Sequence, residues 1–347
     1  MQARPTLRDI AKATGYHFTT VGLAIRGDPR ILPETANAIR LAAQKLGYVQ
    51  DAMLSALSSY RHSKQSRFAG LIGYLHTYDL PKDYVTNHRS RATHFAAEAR
   101  AKDLGFKLEP IDVRAGGLSG KRLTALLQAR GIRGLVLPPL MPLPDHFMEL
   151  DWEQFVTVAI GYSIITPKTY RAAFNQAYSM KLALRELRQL GYRRIGLQMY
   201  HEADVRTNVN TLGAYLADQM RQPEAERIPP LFTAEIPPTN FSQWLDQYQP
   251  DCILAASDSP LSLLKKLGLK VPEDIGFAVL SRDGEASPVA GIDEQSDLLG
   301  ASAVDFAVSL LQTNQHGLPT YPRVVLVESR WVWKPTLRLP TAVPAGS

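Results

Sequence analysis

Residues 6–57, TLRDIAKATGYHFTTVGLAIRGDPRILPETANAIRLAAQKLGYVQDAMLSAL, carry helix-length segments broken at single positions, and few folds accept that spacing. Thr6 stands three residues before Asp9, an N-cap signal for a helix over 7–14. Gly15 can adopt the left-handed backbone of a tight turn, and residues 18–25 make a second short helix. Pro33 suits the first turn of a third helix, which Gly47 closes. Leu7, Ile10, Ala11, Val21, Ala24, Ile25, Ile39, Ala42 and Leu46 are placed to meet in one small core. Short helix, tight turn, short helix is the helix-turn-helix pattern, and a three-helix bundle of other purpose is its bland alternative.

At 347 residues the chain has room for two or three domains. Charge divides it unevenly. Residues 1–67 hold ten Lys/Arg against four Asp/Glu, while the remainder carries 29 of each sign, so the net +6 sits entirely on the helical end. That distribution suits attraction to phosphates by one end of the molecule. Cys252 is the sole cysteine, which excludes an intrachain disulfide, and its apolar neighbours make it a buried strand residue. The first residues, MQARPTLRD, hold no apolar leader core, and no stretch is long enough to span a bilayer, so a cytoplasmic protein is expected.

Beyond the basic run RHSKQSR (61–67) the texture changes to alternating strands and helices. Strand runs are read at 69–75, 107–113, 134–140, 155–162, 193–199, 251–257, 275–281 and 322–332. Helical runs are read at 93–106, 123–131, 175–192, 211–220, 260–268 and roughly 297–312. Such alternation implies parallel sheets with right-handed crossovers.

The stretch 6–57 resembles, without gaps, the headpiece of the lac repressor family, down to the Leu46-Gly47-Tyr48 that leads to that family's hinge helix. The alternating part is similar to the family's core, two doubly wound lobes of the periplasmic-binding-protein kind. The resemblance implies a multidomain chain: an all-α helix-turn-helix headpiece (1–60, with a hinge helix over 51–59), a linker (61–67) and an α/β core (68–340). Three crossings between lobes, near 162–164, 290 and 323, would divide the core. The first lobe then holds 68–162 and 291–322, and the second 163–290 and 323–340. The tail, 341–347, lies outside the resemblance and reads as disordered.

Carried over by position, the base-reading residues of the second helix are Phe18, Thr19 and Leu23. Thr19 can donate or accept at a base edge, and the two apolar side chains can touch a thymine methyl. Leu23 departs from the family's usual polar residue and is equally readable as core. His17 stands where the family prefers a serine cap. Gly22 stands where it usually has serine, and a mid-helix glycine costs about 1 kcal/mol. Thr6, Thr20, Arg26, Arg30, Thr35 and Tyr48 match phosphate-contacting positions, with a solvated basic loop as the alternative for the two arginines. Leu57 matches the minor-groove wedge of the hinge helix, with Leu54 beside it, and such a wedge would unstack a base step and bend the duplex; packing on the core is their alternative. A dimer on a pseudo-palindrome follows, since one headpiece reads a half-site.

Ligands of doubly wound sheets bind beyond the carboxyl ends of strands. The candidates from the first lobe are Tyr78, Asp79, Pro139 and Tyr162. Those from the second are Phe174, Asn175, Arg206, Asn210, Asp258 and Arg282. Asp258 matches the family's ligand-facing carboxylate, which can accept two sugar hydroxyls, and a helix N-cap is its alternative role. Two departures stand out: Asn210 replaces an arginine common in sugar-binding members, and Arg282 replaces an aspartate. Arg282 would suit an acidic group on the ligand.

The resemblance thus implies a transcriptional regulator, a repressor, whose hold on operator DNA is set by a small carbohydrate bound between the lobes, acting as a homodimer. A sugar-binding protein without a DNA role is the alternative. No cofactor or metal is expected: the chain has no G-x-S-x-G elbow, P-loop, G-x-G-x-x-G or spaced His/Cys cluster, and nothing positive supports an enzyme.

Overall fold

The computed structural model describes residues 5–25, 30–46, 48, 70–77, 87–114, 120–139, 147, 149–233 and 238–339. The chain divides into two compact units, Met1–Ala69 and Gly70–Ser347. The hinge helix at 51–59, the linker at 61–67, Gly47 and the tail at 341–347 lie outside the described residues.

The first unit is built from α1 (Leu7–Thr14), α2 (Phe18–Ile25) and α3 (Pro33–Lys45), with the boundaries the caps dictate. The Asp9 carboxylate accepts from both the backbone N–H and the hydroxyl of Thr6, each at 2.7 Å. This holds the first turn closed and pulls the Asp9 carboxyl below its usual pKa, chiefly through the Thr6 hydroxyl. Gly15 ends α1 at φ 72°, its N–H donating to the Ala11 carbonyl at 2.9 Å. Ile10, Val21, Ala24 and Ile39 are completely buried, and Ala36 and Ala43 complete the core. Leu46 was expected there but is 39% exposed. It is the C-cap of α3, past the last helical turn, so it leaves the buried stripe set by Ala36, Ile39 and Ala43. The ring of Tyr48 packs against this core instead.

The second unit begins with β1 (Gly70–His76), α4 (His88–Asp103), β2 (Phe106–Asp112), α5 (Gly120–Ala129), β3 (Ile132–Leu137), β4 (Val156–Ile160) and β5 (Tyr170–Phe174). There follow α6 (Gln176–Gln189), β6 (Ile195–Tyr200), α7 (His201–Arg206), α8 (Asn210–Gln219), β7 (Leu231–Thr233) and α9 (Pro238–Tyr248). Next come β8 (Cys252–Ala255), α10 (Pro260–Lys266), β9 (Gly276–Val279), β10 (Ala290–Asp293), α11 (Ser296–Gln312), β11 (Val324–Val327) and β12 (Arg330–Val332). Two six-stranded sheets result, in the orders β11-β5-β4-β3-β1-β2 and β12-β10-β9-β8-β6-β7. Every pairing is parallel except β10 with β12. Parallel strands covered on both faces read as unbroken apolar runs. Accordingly, all five residues of β4 and all four of β8 are buried, including Cys252, whose thiol burial pushes well up in pKa. Each sheet carries an apolar cluster on both of its faces.

The lobe boundaries differ from those read in the sequence. β5 lies in the first sheet, between β4 and β11, so the first crossing follows Phe174 rather than falling at 162–164. The short β5 escaped notice because Arg171 interrupts its apolar run; the buried guanidinium donates to the Gly161 and Ile164 carbonyls. The second crossing follows β10, at 294–295 rather than 290, for β10 pairs with β9 while α11 packs on α4, β3 and β4. The third lies at 328–329 rather than 323. The run 322–332 is two strands, β11 and β12, one in each sheet. α4 starts at His88 rather than 93, because the Asn87 side chain caps it, accepting from the Ser90 N–H at 3.0 Å. No described helix is long and apolar enough to cross a membrane.

Candidate functional site

Two surfaces concentrate the candidate residues. On the first unit, His17 precedes α2, and its carbonyl accepts from the Val21 N–H at 3.1 Å. Its ring Nδ1 accepts from the Thr19 N–H at 3.4 Å and lies 2.8 Å from the Thr19 hydroxyl. The imidazole therefore does the capping that a serine would do. Phe18, 45% exposed, and Thr19 stand on the outer face of α2. Thr20 is half-buried, and so is Leu23, which is not among the residues packed into the core cluster. Gly22 lies at a buried position between Val21 and Leu23, so it faces inward. Thr6 is exposed but its hydroxyl proton is committed to Asp9. Arg30 is exposed, and Thr35 and Tyr48 are half-buried. Arg26, Leu54 and Leu57 lie outside the described residues.

On the second unit, parallel pairing brings the carboxyl ends of the strands of each sheet to a common edge. Between the lobes lies a cavity of about 220 Å³. The second lobe contributes Ser257 and Asp258 after β8, and Arg282 and Asp283 after β9; the first contributes Asn87 and Arg89 from the start of α4. Of the predicted residues, this cavity gathers Asp258 and Arg282. Asp258 is exposed and is not the cap of α10, a position held by Ser259. Its carboxylate, like that of Asp283, accepts no hydrogen bond among the described residues. Arg282 is only 5% exposed. Its Nε donates to the Val289 carbonyl and its Nη2 to the Ser287 carbonyl, both at 2.8 Å, and burial lowers its pKa. The residue read as a partner for an acidic ligand group is instead a brace for its own loop.

The other predicted residues sit elsewhere. Pro139 follows β3, and Tyr162 follows β4 with the Arg171 guanidinium 5.8 Å from its ring centre. Burial raises the Tyr162 phenol pKa, and Arg171 opposes it. Phe174 ends β5 and packs on the core of the first lobe, not the second. Asn175 caps α6, its side chain accepting from the Tyr178 N–H at 3.2 Å. Arg206 is the exposed last residue of α7, and Asn210 opens α8, half-buried. Tyr78 and Asp79 lie outside the described residues.

The sequence reading missed the residues that join the lobes. Arg89 Nη1 donates to Glu294 Oε2 at 2.8 Å and to Ser281 Oγ at 2.7 Å. The Ser281 hydroxyl donates to the same carboxylate oxygen at 2.5 Å, and Gln176 Nε2 donates to the other at 3.3 Å. Glu294 stands in the second crossing with its side chain 5% exposed, against 48% for Arg89. Beside this clasp, Gly284 at φ 75° approaches His88 so closely that a Cβ there would lie 2.9 Å from the imidazole. The signal was faint: Arg89 precedes the apolar part of its helix, and Glu294 follows a strand of four residues. Among the described residues no group of three or more His, Cys, Asp or Glu is placed to hold a metal ion.

A three-helix unit of helix-turn-helix form is joined in one chain to two doubly wound lobes with a polar cavity between them. No protein-family model matches the chain. Two curated relatives do: the HTH-type transcriptional regulator PtxS of Pseudomonas plecoglossicida, 25% identical over 195 residues, and the maltose regulon regulatory protein MalI of Escherichia coli K12, 28% identical over 156. These matches take in 56% and 44% of this chain, and the chain spans 53% and 41% of the relatives' lengths. In structure, it is similar to the transcriptional regulator CelR solved with cellobiose, at TM-score 0.57 and 21% identity over 96% of this chain and 100% of that one. It is also similar to the lac repressor dimer bound to operator, at TM-score 0.55 and 21% identity over 97% and 100%. The chain has the lac repressor fold over nearly its whole length.

Proposed function

We propose that this chain is a sequence-specific DNA-binding transcriptional regulator, working as a repressor in the cytoplasm, whose operator affinity is set by a small carbohydrate held between the core lobes. The observation that carries this reading is the exposed face of α2, where Phe18 and Thr19 stand on the unit that bears the chain's whole net charge. Direct readout needs such a helix in the major groove, and phosphate attraction needs the charge at the same end. Thr6, His17, Thr20, Leu23, Arg26, Arg30, Thr35 and Tyr48 complete the proposed contact set, with Leu54 and Leu57 as the minor-groove wedge. Two copies pair so that two headpieces meet a pseudo-palindrome. The relatives support the reading, since one is named a transcriptional regulator and the other a regulon regulatory protein.

In the core, Asp258 is the proposed ligand carboxylate, and the Arg89–Glu294–Ser281 clasp ties the lobe angle to what the cleft holds. Coupling of this kind is reciprocal: an effector that weakens DNA binding itself binds less well to the DNA-bound form.

Selection of fragments from a random DNA pool with the full-length protein at fixed salt tests the reading. A pseudo-palindromic site with a central pyrimidine–purine step is expected, the step marking where an apolar wedge bends the duplex. Recovery without sequence preference would sink it.

A further inference from the structure

Residues 13–25 hold no Lys, Arg, Asn, Gln, Asp or Glu, and this run contains the whole of α2, FTTVGLAI. In the major groove a guanine is read by the paired donors of an arginine or lysine, an adenine by an asparagine or glutamine amide, and a cytosine by a carboxylate. None of these readers stands on α2. Packing fixes what the helix does offer. Val21, Gly22 and Ala24 are buried, and Ile25 packs on the core of the unit. Phe18, 45% exposed, and Thr19 are left outward, with Thr20 and Leu23 half-buried and Leu23 outside the core cluster. The Thr19 hydroxyl lies 2.8 Å from the His17 ring, and a lone hydroxyl, able to donate or accept, separates bases poorly. Tyr16 and His17, exposed just before the helix, lack the parallel donor pair as well.

Apolar surface is what remains to read with. The N-terminal residues of a recognition helix meet the base edges, and Phe18 is the first residue of α2. Leu23 follows Thr19 by four residues and shares its face. One apolar group marks a base in the major groove, the 5-methyl of thymine. Covering such a group is worth about fourfold in affinity.

We propose that α2 reads its half-site through thymine methyl groups, with Phe18 and Leu23 packing on them, in place of paired hydrogen bonds to guanine or adenine. The proposal rests on the DNA-binding reading above and adds to it the chemistry by which bases are told apart. The cations of the basic end, which flank α2 in the chain, are left to phosphates, whose contacts set position and carry no base identity.

The test alters atoms of the DNA. Fluorescence anisotropy at fixed salt compares the full-length protein on the site selected from the random pool with altered copies of that site. Deoxyuridine for every half-site thymine deletes only the 5-methyl groups and should weaken binding by about tenfold or more. 7-Deazaguanine for guanine deletes the N7 acceptor and should weaken it by less than about threefold. At the thymine that responds most, cytosine should lose affinity and 5-methylcytosine should regain about threefold of it. Phe18→Ala, at an exposed position outside the core, should bind more weakly and respond about threefold less to deoxyuridine. Half-sites without thymine, a site that tolerates deoxyuridine or loses more to 7-deazaguanine, or an undiminished response in Phe18→Ala overturns the methyl reading and leaves a sequence-specific regulator standing. Selection that returns no preferred site overturns the DNA-binding reading, and this proposal with it.

Discussion

His94 illustrates how far one buried side chain can set the conditions under which a lobe is stable. It lies on α4 with its ring edge-on to Tyr74 at 4.6 Å between centroids, and it is 6% exposed. Burial first, and the neighbouring His76 second, push its pKa down from 6.5 to about 4. In the unfolded chain this imidazole takes a proton near its ordinary value, while the folded lobe refuses it. Stability is therefore unaffected well above pH 6.5 and falls as the pH drops from there toward 4. A loss of about 2 kcal/mol is expected by about pH 5. Urea midpoints measured on either side of that window check this, and His94→Phe should flatten the difference. Residues of this kind are hard to read from sequence, since a histidine among THFAAEAR could as well face solvent. Asp258 and Arg282 were legible because they directly follow apolar strand runs. Arg282's actual role as a brace was not, because its partners are carbonyls of a loop whose path only the fold defines.

Between elements, α4 packs closely against α11, and the two lie together on one face of the first sheet. Gly300 makes it possible: a Cβ there would stand 2.1 Å from the Thr93 carbonyl oxygen and 3.1 Å from the Ala97 nitrogen, both backbone atoms that cannot step aside. Gly300→Ala should force the helices apart and destabilise the core by about 1–3 kcal/mol, despite alanine's better helix propensity. Thermal unfolding of the variant measures it, and an unchanged or higher melting temperature would refute the close-contact argument. Element boundaries were legible where caps are local. Thr6, Gly15 and Pro33 set α1, α2 and α3 by themselves. They were not legible where an element depends on its neighbours. β5, β7 and β10 have three to five residues each, and YRAAF becomes a strand because β4 and β11 flank it.

For the whole molecule, the division of charge has a direct consequence. The core's positive and negative charges cancel, so DNA affinity should follow the basic end alone and depend steeply on salt. Raising salt from about 50 to about 200 mM should weaken binding by roughly a thousandfold or more if six or more phosphates are neutralised. Sugar titration over the same range should change little, because the Arg89–Glu294 pair is sheltered by Glu294's burial. Fluorescence anisotropy with the selected operator, set beside calorimetry with the bound sugar, separates the two.

The chain's local physics determined the helix-turn-helix unit, the alternating α/β core and the end of the molecule that carries the charge, because caps, turns and apolar periods act over a few residues. Pairing across long sequence separations was decided only in three dimensions. Which sheet receives β5, β11 and β12 depends on edges contributed from elsewhere in the chain. Arg89, Ser281 and Glu294 come together because the second crossing brings the end of β10 beneath the start of α4, and nothing within reach of Arg89 along the chain announces a partner more than two hundred residues away.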